Sequence, residues 1–199
     1  GNIQIGANIA SGQDAALTTG NGKITVDNLV ASNNGNVSLT TGAGDISVND
    51  KVIARTGSVT ATTGEGDIHI GDNGPEENTV YAQQEVLLAT DLGHIEISGR
   101  TLTQTGDITM KAGENTYVSS QSNFIINDNG RVESGWDVNL EGRNGDIHVT
   151  DDIVAQHSIN TQIEGQGSVY FDDDLSSNAS ISITSDQGDI NVDKAITTT

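Results

Sequence analysis

Cysteine is missing from this 199-residue chain, which rules out disulfide cross-links and thiolate metal sites. Proline occurs once, and the aromatic residues are one Trp, three Tyr and two Phe, 3% of the chain. A core built on large rings is thereby excluded, as are the stacking platforms of single-strand nucleic-acid binders. Cationic residues are scarce, with 8 Lys and Arg against 28 Asp and Glu and a net charge of −20. Such a surface repels phosphate backbones, so nucleic acid is not expected as a partner. No apolar run approaches the ~20 residues that span a bilayer, so membrane insertion is not expected. What remains is the vocabulary of short strands and tight turns: 24 Gly, with abundant Thr, Ser, Asn and Asp. Ile and Val alternate regularly with polar residues, a pattern that argues against disorder.

One phrase recurs. "TTGAGDISVND" at 40–50 returns as "TTGEGDIHIGD" at 62–72, "EGRNGDIHVTD" at 141–151 and "SDQGDINVD" at 185–193. Aligned on the residue that opens each phrase, the openers are Gly1, Gly22, Gly44, Gly66, Gly93, Asn115, Gly145, Gly167 and Gly188. Six of the eight spacings lie within one residue of 22. Two and four positions after each opener stand aliphatics such as Ile46 and Val48, with a mostly polar residue between them. That is the period-2 signature of a strand with one buried face. A second strand begins about eight residues after the opener (Val30, Val52, Ile153), and a third precedes the next opener (Val37/Leu39, Val59/Ala61, Val138/Leu140).

Three short strands per repeat, always in phase, predict an all-β right-handed parallel β-helix of about nine coils. An antiparallel sandwich is the rival, but hairpins do not require one face pattern to recur every third strand. The whole of 1–199 is expected to form a single segment. Two long repeats place loop insertions near 71–78, between first and second strands, and near 127–135, between second and third. The latter follows from taking Asn115 as opener, with Tyr117 and Ser119 inward. In the repeat 145–166, Asn160 and Gln162 fall in inward slots by count, while Ile159, Thr161 and Ile163 suggest a one-residue slip. The corner glycines are expected to supply positive φ. Asp45, Asp67, Asp146 and Asp189, which follow them, are expected to accept hydrogen bonds from turn amides.

Neither end shows a capping helix, which suggests a piece of a longer protein or ends that pair with other copies. Stretches such as "GNVSLTTGAGDISV" and "VIARTGSVTATTGEG" resemble the repeats of the large secreted haemagglutinin-type adhesins of Gram-negative bacteria, typified by filamentous haemagglutinin. The resemblance spans most of the chain and is strongest at 22–70 and 145–192. It implies a β-helical stalk, secretion by the two-partner route to the outer cell surface, and a role in adhesion, aggregation or biofilm. The Asn-Pro-Asn secretion motifs of that family are not in this sequence.

Candidate chemistry is sparse. Asp151 and Asp152 follow one first strand, and Asp172, Asp173 and Asp174 follow the next, so stacking would gather five carboxylates. Ca²⁺ accepts several carboxylate oxygens in loose geometry. The alternative is a solvated acidic ridge that blunts lateral pairing. Neither a calcium nonapeptide nor an EF-hand loop is present. Trp136 is expected to cap the core beside the second insertion. It can instead anchor a recognition patch with Tyr81 and Arg131, directed at a surface glycan, a protein or another copy of the chain. His69 with Glu96, and His148 with Tyr170, are expected to be cross-strand neighbours rather than catalytic groups. Paired carboxylates raise polysaccharide cleavage, but the dearth of aromatic platforms argues for a non-enzyme. A calcium-modulated filament subunit is the alternative to a stalk.

Overall fold

The structure, a computed structural model, describes residues 1–71, 78–113, 124–127 and 132–199. Among these, every element is a strand of three to six residues and every strand pairing is parallel. First-position strands form one nine-stranded sheet, second-position strands another, and third-position strands an eight-stranded sheet. The chain is a parallel β-solenoid of about eight turns, eight complete ones and two strands of a ninth where nine openers were counted. At the ~4.8 Å separation of paired strands, the stack is roughly 40 Å tall.

Residues one repeat apart lie directly over one another. Ile24 pairs with Ile46, Ile46 with Ile68, and Ile68 with Ile95. The alternation read from the sequence is the alternation of burial: in Ile46–Val48 and in Val37–Thr41 the odd members are buried and the even ones half-exposed. One continuous core runs through the turns, with Ile24, Leu39, Ile46, Ile68, Leu88, Ile95, Ile108 and Phe171 at most 1% exposed.

The insertion near 71–78 falls where expected, between Ile68–Ile70 and Asn78–Ala82. Val80 lies over Val52, twelve positions after Ile68 where Val52 is six after Ile46. The other insertion needs correction. The strand that pairs with Ile95–Ser98 is Phe124–Asn127, not the phrase opened by Asn115. Phe124 follows Ile108 by sixteen positions where Ile46 follows Val37 by nine, so most of the extra length precedes the first strand of this turn. It does not lie between its second and third strands, as the 127–135 assignment required. Asn115, Tyr117 and Ser119 lie outside the described residues. The slip at 145–166 is real: Ile159, Thr161 and Ile163 are buried, and Asn160 and Gln162 are exposed. Pairing with Val138–Gly142 is unbroken, and the extra residue sits in the corner before Val169.

The corner glycines are required for a reason other than the one expected. Of the phrase openers among the described residues, only Gly145 has positive φ. Gly22, Gly44, Gly66, Gly93, Gly167 and Gly188 are instead pressed against the rung below. A Cβ on Gly44 would lie 2.3 Å from the Gly22 carbonyl oxygen, and one on Gly66 would lie 2.4 Å from the Gly44 carbonyl. Threonine completes the same corner from inside. The Thr41 hydroxyl donates to Gly44 O at 2.6 Å and accepts from Gly44 N at 2.8 Å. Thr63 and Thr90 accept from Gly66 N and Gly93 N in the same way, while donating to the carbonyls of Gly44 and Gly66 one rung down. The buried hydroxyl thus satisfies backbone groups that a sharp turn leaves unpaired. At the opposite corner Ser134 does similar work, donating to Asp137 O and Gly106 O.

Candidate functional site

The recurring Gly-Asp pair is a rung-to-rung clamp. Asp45 Oδ1 accepts the Asp67 backbone N–H at 3.1 Å, Asp67 Oδ1 accepts that of His94 at 2.8 Å, and Asp146 Oδ1 accepts that of Ser168 at 2.8 Å. Asn2, Asn36 and Asn144 serve equivalently toward Lys23, Ser58 and Gln166. These aspartates are structural, as the turn-amide expectation held, with the acceptor reaching the next turn rather than its own. Lys23 closes the N-terminal end of this column, its Nζ 2.5 Å from Asp45 Oδ2. That hydrogen bond, ahead of the Asp67 amide and against partial burial, holds the Asp45 carboxyl below its ordinary value. The same bond, assisted by the charges of Asp45 and Asp67, raises Lys23.

Three surface features carry chemistry. The first is a groove of about 420 Å³ on the outer face of the first-strand sheet, lined by Asp45, Ser47, Asp67, His69, His94 and Glu96. His69 and Glu96 are register partners, Nδ1 to Oε2 3.2 Å, as expected of cross-strand neighbours. His148 and Tyr170 are register partners too, their rings edge-to-face at 5.8 Å.

The second is the acidic corner. The structure brings together Asp151, Asp152 and Asp173, with one carboxylate oxygen from each within 4.8 Å of the others. Asp172 turns away to His148, Oδ2 to Nε2 2.8 Å. Asp174 is spent on the clamp, accepting the Ala195 N–H at 3.0 Å. Five candidate ligands therefore reduce to three. One Ca²⁺ at 2.3–2.6 Å from each oxygen fits that spread, with water supplying the remainder of its six to eight ligands. Two oxygens carry other duties: Asp151 Oδ1 accepts the Asp152 N–H at 2.7 Å, and Asp173 Oδ1 lies 3.8 Å from Lys194 Nζ.

The third is Trp136. The expectation that it caps the core is wrong: the side chain is 51% exposed. Its indole stacks on the imidazole of His157, centroids 4.7 Å apart and planes 11° from parallel. His157 is aimed by Asp137, whose Oδ1 lies 2.7 Å from His157 Nδ1 and also accepts the Ser158 N–H at 2.8 Å. Tyr81 is not part of this patch. It belongs to a strand two rungs away, its column running Tyr81, Leu102, Glu133, and its hydroxyl donates to Gln83 Oε1. Arg131 lies outside the described residues. His157 escaped the sequence reading, although its 21-residue distance from Trp136 is one repeat and could have paired them.

No helix among the described residues is long and apolar enough to cross a membrane. No family model, curated protein or solved structure matches this chain.

Proposed function

We propose that the chain is a stalk segment of a bacterial cell-surface adhesin, a non-enzymatic rod that holds binding parts away from the cell. The observation that supports it most is the parallel register, kept from the first turn to the last apart from one shift at Asn78/Val80. Glycine contacts and Asp or Asn clamps recur from rung to rung, joined at Thr41, Thr63 and Thr90 by a buried hydroxyl, so successive turns are tied together at their corners. The repeat resemblance to haemagglutinin-type exoproteins supplies the cellular setting: export to the outer surface, and adhesion, aggregation or biofilm as the process served. Antibodies raised against the folded chain should label intact cells of the producing bacterium and reduce their attachment or clumping. Labelling confined to lysed cells refutes the reading.

The carboxylate triad of Asp151, Asp152 and Asp173 favours a second reading, a calcium-modulated subunit that assembles with copies of itself. Light scattering across protein and Ca²⁺ concentration separates the two. Fibres that appear with Ca²⁺ support the subunit, and a monomer at every concentration supports the stalk.

A further inference from the structure

Trp136 and its neighbours are not explained by a rod. The indole is half open to solvent, the only aromatic among the exposed large hydrophobics of the described residues. His157 covers one of its faces. On the rung below, Gly135 lies over Gln104 and Thr105, so no ring stands opposite the other face. Beginning two residues further on is the strand Val138–Gly142, whose outer positions are Asn139 and Glu141. Asn160 and Gln162 stand over them on the next rung, followed by Ser182 and Thr184. Together these six line a groove of about 280 Å³. Trp136 stands at the corner two residues before this strand, so at no more than ~3.3 Å per residue platform and groove lie near enough to serve one short oligosaccharide as a track.

We propose that this track binds a neutral oligosaccharide, with one pyranose ring stacked on Trp136 and its neighbours along the chain hydrogen-bonded to the amide rows. The chemistry matches at both ends. A pyranose offers a face of C–H groups that packs on an indole through weak C–H contacts. Its hydroxyls are donor and acceptor at once, which is what a planar amide presents. Asn160 Nδ2 donates to Asn139 Oδ1 at 3.0 Å, so the pair is oriented in advance and keeps a donor on Asn139 and an acceptor on Asn160. The Asp137–His157 bond likewise fixes the stacking partner. Glu141 is paired with Lys111 and Asp137 with His157, so the preference for a neutral glycan comes from the chain's net charge of −20, which disfavours sulfated or uronic partners. A single exposed ring and a shallow groove predict weak affinity from one rung pair.

Trp136 is the sole tryptophan, so its fluorescence reports this site alone. The folded 199-residue chain is titrated to about 10 mM with mannohexaose, laminarihexaose, isomaltohexaose and chitohexaose, with heparin and oligolysine as charged controls, and heats are measured in parallel. At least one neutral hexasaccharide is expected to shift the emission saturably and to protect the indole from acrylamide. Trp136→Ala should abolish the heat. Asn160→Ala with Gln162→Ala, which keeps the fluorophore, should weaken binding at least about tenfold. Circular dichroism of each variant confirms that the solenoid persists. The proposal is overturned if no neutral sugar binds, if only heparin or oligolysine does, or if binding survives either set of substitutions unchanged. The site goes beyond the stalk reading, since surface labelling of cells and sugar titration of the pure chain fail independently.

Discussion

Replacing Gly66 by alanine should damage the solenoid, and replacing Gly142 by alanine should strengthen it. A Cβ on Gly66 would lie 2.4 Å from both the carbonyl carbon and oxygen of Gly44, and 2.6 Å from Asp45 N. Ordinary contact begins at 3.4 Å, so the two rungs must separate by about 1 Å at this corner. Ile46 N donates to Asp67 O at 2.8 Å there, and a displacement of that size takes the bond past the ~3.2 Å limit of useful geometry. Overpacking costs roughly 1–3 kcal/mol. A weakened ladder bond adds about 1 kcal/mol. The expected loss is therefore about 2–4 kcal/mol, or about 5–15 °C in Tm for a chain of this length. Gly142 is different. It occupies an inward slot between Ala112 and Ile163, and a Cβ there would meet Ile147 and Ile163 at 3.7 Å, in ordinary contact. Filling the slot and restricting the unfolded chain should gain about 0.5–1 kcal/mol. Thermal unfolding followed by circular dichroism at several scan rates compares both variants with the parent. An unchanged Tm for Gly66→Ala, or shifts of the same sign for both, would refute the argument from rung contact.

Other perturbations test separate parts of the account. Thr161 is 2% exposed and its hydroxyl has no hydrogen-bond partner, so Thr161→Val should raise stability by about 1 kcal/mol in urea unfolding, and a loss would show that the hydroxyl is satisfied. Asp67→Ala removes the acceptor for the His94 N–H and should cost about 1–2 kcal/mol, whereas Asp67→Asn should be nearly neutral, since Asn36 already fills this role; equal losses would argue against the clamp. The Asp45 carboxyl is held low by Lys23, so its stabilising contribution is complete above the ordinary carboxylate value near 3.9 and is lost as pH falls through the depressed folded value. The Tm difference between Asp45→Asn and the parent should accordingly shrink on acidification from pH 7, and a difference independent of pH contradicts the pairing. If Ca²⁺ occupies the acidic corner, millimolar Ca²⁺ should raise Tm in the parent and not in Asp173→Asn, as read by calorimetry with and without chelator.

The frame was legible because a solenoid writes its geometry into spacing. Ile46 and Ile68 are 22 positions apart and directly paired, and neither fact depends on the rest of the chain. The turn after Ala112 misled the alignment because a Gly-poor Asn-Thr-Tyr-Val phrase at 115–118 imitates an opener, while Phe124 carries no glycine signal before it. The corner glycines were read by their usual conformational freedom, although close approach between rungs is a property of stacking that no single turn reveals. The acidic corner was legible as a cluster and not as a ligand set, since spacing places backbones but does not say that His148 and the Ala195 amide will each claim a carboxylate. Trp136 was misread for a related reason. Its partner His157 is one repeat away, and the choice between facing inward and facing a ring on the next rung depends on the corner Gly135–Asp137.

Because every turn brings its own short parallel strands and inward aliphatics, the molecule changes length in quanta. Adding or deleting one repeat, such as the 22 residues that separate 40–50 from 62–72, adds or removes a complete turn and returns each side chain to the same wall. A one-residue change inside a strand, by contrast, turns its aliphatics to solvent. Inheritance of such a gene therefore favours variation in reach over variation in cross-section.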